Sequence, residues 1–191
     1  MYFKKYDNKD KGFTLMEVIV SVGIVAFAFV GVMAVFASNI RVEIASRDKT
    51  TASYLAQEAM EIIKNERDTN WFAGGAANWD NGIGAGSHQV LNVIDPSDLA
   101  KGWSLENTGL GEEEYYKQRI FLLDGVYVQT TDLSYNDANR PSSWQDTHFR
   151  RLIDIERPDI DKIKVTVAVY YGSNDSKVQI VSYLYNNWYT N

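Results

Sequence analysis

No cysteine occurs among the 191 residues, which excludes disulfides, zinc–thiolate sites, iron–sulfur clusters and cysteine nucleophiles. Histidine is nearly absent as well. His88 and His148 are the only two, too few for a multi-histidine metal centre. Positive charge is in deficit: 19 Lys and Arg face 25 Asp and Glu, a net charge of −6, and the pI is near 4.9. Binding to a nucleic-acid backbone needs clustered cations, so no nucleic-acid partner is expected. The chain also lacks a GxxxxGK[ST] phosphate cradle, a nucleophile elbow and a Ser-His-Asp order. No cofactor or metal is expected, and no catalytic residue is assigned.

What is present is a strong asymmetry. Mean hydropathy is only −0.30, yet residues 13–37 read FTLMEVIVSVGIVAFAFVGVMAVFA. Twenty of these 25 residues are Ala, Val, Ile, Leu, Met or Phe, and the one charge is Glu17. As a helix the segment would be about 37 Å long, enough to cross a hydrocarbon layer about 30 Å thick. The preceding residues 1–12, MYFKKYDNKDKG, carry four Lys against two Asp, a net +2. Positive charge ahead of a first apolar helix keeps that end in the cytoplasm. A cleaved secretory signal is the competing reading, with Val35-Phe36-Ala37 as a small-x-small site and Ser38 as the new terminus. Such signals have apolar cores of about 7–15 residues. This run is longer, contains a carboxylate, and continues as helical pattern past Ala37.

Residues 38–69 extend the helix in amphipathic form. No Pro or Gly interrupts residues 38–68, and apolar residues recur at Ile40, Ile44, Ala52, Leu55, Ala59, Ile62 and Ile63. Arg47, Lys49, Glu58, Glu61 and Lys64 take the other face. Regular a/d heptads do not persist, which argues against a long coiled coil. One apolar stripe therefore needs a burial partner.

Residues 70–191 supply that partner as a head. Residues 71–87, WFAGGAANWDNGIGAGS, read as a loop region in which Trp71, Phe72 and Trp79 pin the chain to the fold. In the last third, Ile163, Val165, Val167, Val169 and Tyr171 alternate with Lys164, Thr166, Ala168 and Tyr170, the period of a strand. Residues 172–175, Gly-Ser-Asn-Asp, form a turn, and Val178 to Tyr185 return as the second strand of a hairpin over 162–186. Phe149 to Ile155 is a partner strand stopped near Pro158, and residues 117–129 offer a strand or a hairpin about Asp124-Gly125. The expectation is an α+β fold: an antiparallel meander of three to five strands laid across the amphipathic half of the helix.

The junction between leader and apolar helix is the most specific feature. Gly12 is followed by Phe13-Thr14-Leu15-Met16-Glu17 and then twenty nearly uncharged residues. A short basic leader, G|FTLxE and a long apolar helix resemble the signal of type IV pilins and their relatives, the type II secretion pseudopilins. The likeness is strongest over residues 11–37. It implies a lollipop-shaped subunit, a long helix bearing a sheet-containing head. It implies cleavage by a membrane prepilin peptidase between Gly12 and Phe13, with Phe13 becoming an N-methylated terminus. It further implies other pilin subunits and an inner-membrane assembly platform as partners. Residence begins in the plasma membrane as a single span, with lipid around the helix, and ends in a surface filament or a periplasm-spanning pseudopilus.

Physical chemistry gives Glu17 a matching part. An ionised carboxylate in an apolar helix costs on the order of 2.5–3.5 kcal/mol at the bilayer centre and less near an end. The amine created at Phe13 of a neighbouring subunit would offset that charge in an apolar bundle. A Glu17 that snorkels to the headgroups is the simpler alternative, since it lies one turn from the membrane edge. Gly23 and Gly31, eight residues apart in the apolar run, would permit close helix approach or local melting.

Other chemical groups are read as structural. His88 and His148 are lone histidines in polar segments. Glu112-Glu113-Glu114 is a solvated charge run. Asp154, Glu156, Asp159 and Asp161 lack the spacing of an EF-hand loop. The reading is therefore a structural subunit that works by polymerising through its apolar helix, in a type IV pilus or a secretion pseudopilus. A secreted or anchored enzyme behind an ordinary signal, and a membrane-displayed adhesive module, are the alternatives of other classes.

Overall fold

A computed structural model describes residues 12–93, 102–107, 119–129, 142–172 and 176–186. The leader residues 1–11, the Glu112–Glu114 run and turn residues 173–175 lie outside them. The protein is α+β. Helix α1 (Leu15–Gly74) is followed by a short 3-10 turn (Gly75–Ala77) and seven strands: β1 (Gly86–Val93), β2 (Trp103–Asn107), β3 (Arg119–Leu123), β4 (Val126–Val128), β5 (Gln145–Asp159), β6 (Lys162–Tyr171) and β7 (Ser176–Tyr185). The chain forms two compact units, Met1–Ile44 and Ala45–Asn191.

Helix α1 runs past the expected boundary at residue 69. It keeps Trp71 and Phe72 on its last turn and stops where Gly75 takes φ +66°, a left-handed conformation that glycine adopts without a Cβ clash. Trp71 and Trp79 do pin this region. The Trp71 indole donates to the carbonyl of Asn186 at 3.1 Å, and Trp79 is buried. Phe72 does not: it is 73% exposed and meets Trp71 edge to face.

All strands pair antiparallel in one sheet. The expected meander is β5–β6–β7, and the hairpin over 162–186 is in register from Lys162↔Tyr185 to Tyr171↔Ser176. The sheet is nevertheless larger than three to five strands. The other edge of β5 is shared by two partners, β3 against its first half and β1 against Ile153 and Ile155. β3 and β4 form a two-residue hairpin whose Asp124 (φ 49°) and Gly125 (φ 85°) both lie in the left-handed region, the backbone of a type I′ turn. β5 ends at Asp159, one residue past Pro158 and close to the expected stop. Its ladder is irregular between Glu156 and Asp159, where Pro158 need not donate an N–H.

In the second unit, alternation places Phe149, Ile153, Ile155, Ile163, Val165, Val167, Val169 and Leu184 against Ala52, Leu55, Ala56, Ala59, Met60 and Ile63 of α1. The small Ala52, Ala56 and Ala59 let the helix backbone come close to the sheet. A smaller cluster joins Phe121, Leu123, Val128 and Trp144. The buried stripe begins only at Ala52, since Ile40 and Ile44 are exposed.

Arg151 lies in this core with its side chain fully buried. Its Nη1 donates to the Glu58 carboxylate at 2.9 Å and to the Leu55 carbonyl at 3.1 Å, and its Nε donates to Gln129 Oε1 at 3.3 Å. Buried Gln129 returns a bond to the Arg151 carbonyl at 2.9 Å. Burial draws the guanidinium below the usual arginine range, and the Glu58 charge opposes that shift. His148 Nε2 stands 3.3 Å from Asp48 of α1, a second polar link between helix and β5, and Arg157 pairs with Asp80 beyond the helix end.

Candidate functional site: the N-terminal helix segment

Gly12, Phe13 and Thr14 precede the helix and are exposed and non-helical. Nothing lies within 4 Å of a Cβ built on Gly12. Thr14 is a helix N-cap: its Oγ1 accepts the backbone N–H of Glu17 at 3.3 Å, satisfying one of the donors that a helix start leaves free. Thr14-Leu15-Met16-Glu17 thus has the order of a capping box, a hydroxyl residue followed three positions later by Glu. Glu17 sits in the first turn, where a negative charge also meets the positive end of the helix dipole. The T-x-x-E spacing is the sequence signal of this cap. One turn on, the Ser21 hydroxyl donates to the Glu17 carbonyl at 2.7 Å, so it turns inward onto the backbone.

Beyond this cap, up to Ala37, the segment presents an almost wholly apolar surface. Every residue from Gly12 to Arg47 is exposed except half-buried Gly23, and Phe13 and Phe27 are more than four-fifths exposed. The helix is long and apolar enough to cross a membrane, and none of its most apolar 18-residue window is buried within the chain. Fully burying one such Val, Leu, Ile or Phe side chain is worth about 1.5–3 kcal/mol. A surface of this extent marks a site for lipid or for other proteins. A Cβ at Gly23 or Gly31 would meet nothing within 4 Å, so no close approach inside this chain requires either glycine.

The structure brings Gly12, Phe13 and Glu17 together at one end of the apolar helix. It places His148 far along the sequence, at the Asp48 contact in the second unit. His88 lies on β1. Asp159 Oδ1 accepts the N–H of Ile160, Asp161 Oδ1 accepts from Asn186, and Glu156 pairs with Lys164, so these carboxylates serve the β5–β6 corner. Among the described residues no group of three His, Asp or Glu is arranged to hold a metal ion.

Residues 7–33 match the family model of the prokaryotic N-terminal methylation motif, the signal carried by type IV pilins and pseudopilins. No curated protein and no solved structure matches the chain. The motif and the apolar helix fit a type IV pilin or pseudopilin. They point to a structural subunit rather than an enzyme, and they imply processing by prepilin peptidase and assembly with other pilin subunits.

Proposed function

We propose that this protein is a structural subunit of a type IV pilus or of the related secretion pseudopilus. The chain enters the plasma membrane with residues 1–12 cytoplasmic, residues 13–37 spanning the lipid and the remainder outside. Prepilin peptidase cuts after Gly12, and the new terminal Phe13 is N-methylated. The subunit then leaves the lipid laterally and polymerises, its apolar helix packing among those of its neighbours while the acidic head faces outward. The Glu17 carboxylate pairs with the Phe13 amine of an adjacent subunit, so each incoming charge meets an opposite one in the apolar bundle.

One observation carries the reading: the methylation motif spans an exposed, non-helical Gly12–Phe13 junction, directly ahead of a capped helix whose apolar first half is bare. Exchanging lipid for neighbouring apolar helices lets that surface remain out of water throughout. The test is the protein content of sheared cell-surface filaments and of secretion pseudopili. Recovery of this chain in such filaments, beginning at Phe13, is the expected result. A chain found only as a soluble species beginning at Ser38 would overturn the proposal in favour of a secreted domain.

A further inference from the structure

The last strand of the sheet has an open side. β7 pairs with β6 along its whole length, and among the described residues its other edge has no partner strand. Eight consecutive residues of this edge, Val178–Tyr185, read VQIVSYLY, without charge, proline or glycine. That is the composition of a segment that accepts a further strand readily. Long edges are usually blunted by a central Lys, a Pro or a bulge. Here the β6–β7 register is continuous, and the strand's own single cation, Lys177, sits at its start.

Burial points the same way. Val178 and Ile180 face the core yet are only half-buried, while the β6 residues opposite them, Val169 and Val167, are fully buried. The apolar layer therefore continues to the edge and stops uncovered. On the other face Val181, Tyr183 and Tyr185 are 46%, 47% and 49% exposed.

We propose that a second copy of this chain pairs its β7 antiparallel with this edge, in a register centred on Val181, joining two heads into one continuous sheet. A two-fold axis there sets Val181 against its own mate, Gln179 against Tyr183, Val178 against Leu184 and Lys177 against Tyr185. This centre pairs nine of the ten strand residues, Lys177 through Tyr185, and sets apolar Val178 against Leu184, where a centre on Ile180 would set it against Ser182. It also places the only charge over a tyrosine ring. β6 and β7 already use that pairing: Lys162 opposes Tyr185 and Lys177 opposes Tyr170, with Nζ 5.4 and 5.8 Å from the ring centres. The isologous arrangement needs only head residues and is independent of cleavage at Gly12 and of polymerisation.

The absence of cysteine makes the test direct, because one introduced thiol is the only one. Directly opposed residues of an antiparallel pair have Cβ atoms about 4.5–5.5 Å apart, close to disulfide reach. Two copies of residue 177 would instead be about 26 Å apart, eight strand steps. Full-length chain in detergent, oxidised with copper-phenanthroline, should give at least tenfold more disulfide dimer with Val181→Cys than with Lys177→Cys. Mixed Gln179→Cys and Tyr183→Cys chains should form the heterodimer. Adding Val181→Lys to both, which opposes two like charges at the axis, should cut that heterodimer at least tenfold. No dimer from Val181→Cys, equal dimer from positions 177 and 181, or a heterodimer unaffected by Val181→Lys would each overturn the proposal.

Discussion

The hydroxyl of Thr14 accepts the backbone N–H of Glu17 at 3.3 Å, so the only carboxylate of the apolar segment lies within the cap of its own helix. Glu17 therefore gives its backbone N–H to the helix start, while its carboxylate is the group proposed to meet the Phe13 amine of another subunit. A capping box accepts Glu or Gln at this position. Glu17→Gln and Glu17→Ala should both keep the Thr14 cap, whose donor is the backbone N–H of residue 17, and both lose the charge. If charge pairing drives assembly, both variants should lose surface filaments to a similar degree while membrane-bound, processed chain persists. Removing one partner of a buried ion pair costs about 3–5 kcal/mol, more than the gain from easier insertion of the neutral side chain. Normal filaments from Glu17→Gln with defective ones from Glu17→Ala would show that assembly needs a polar side chain at this position and not its charge. Thr14→Ala, which should weaken the helix start by about 1 kcal/mol, is the companion variant and should reduce assembly far less than Glu17→Gln.

Gly12→Val should block processing. A Cβ at Gly12 meets no atom within 4 Å, so the substitution leaves the described fold undisturbed and its effect falls on recognition by the peptidase. The uncut chain should accumulate in the membrane and not assemble, as read by immunoblot of membrane and sheared fractions. Chain beginning at Phe13 from a Gly12→Val gene would place the cleavage elsewhere.

A fragment of residues 39–191 should be soluble and folded. It omits nearly all of the bare hydrocarbon surface and keeps the stripe from Ala52 to Ile63 that packs on β5 and β6. Circular dichroism should show mixed helix and sheet with one cooperative melt. A random-coil spectrum would show that the head depends on its neighbours.

Within that fragment, Glu58→Ala should cost about 3–5 kcal/mol in urea unfolding, because it strips the fully buried Arg151 of its counter-charge. Pairing it with Arg151→Met should recover most of the loss, since a well-packed apolar side chain carries no charge to compensate. A double variant as unstable as Glu58→Ala would show that the guanidinium's bonds to Leu55 and Gln129 matter more than its charge.

The buried arginine also marks where the sequence was legible and where it was not. Strand alternation was readable at β6 and β7 because Ile163, Val165, Val167 and Val169 all declare the inner face. The same alternation places Arg151 inward between Phe149 and Ile153, but its charge hides that phase until Glu58 is seen across the interface. The Asp124-Gly125 turn was legible because it needs residues that tolerate positive φ. β1, by contrast, mixes Ser, His, Gln and Asn with its apolar residues, and its place beside β5 depends on long-range pairing. The helix runs five residues past its expected end, since Trp71 and Phe72 next to glycines resemble a loop until the Trp71 bond to Asn186 is known. Pro158 marks the end of β5 to within one residue, because proline cannot join a regular ladder, and the ladder is irregular there. At the candidate site, Gly12, Phe13 and Glu17 stand out through their resemblance to the pilin signal, and the structure adds the Thr14 cap on the backbone of Glu17.

The most direct measurement is the terminal residue of the membrane-associated chain, taken by mass spectrometry from cells with an active prepilin peptidase. An N-methylated Phe13 terminus is the result predicted. Chain beginning at Met1 in those cells, or at Ser38, would contradict the assignment of residues 1–12 as a leader removed to release an assembling subunit.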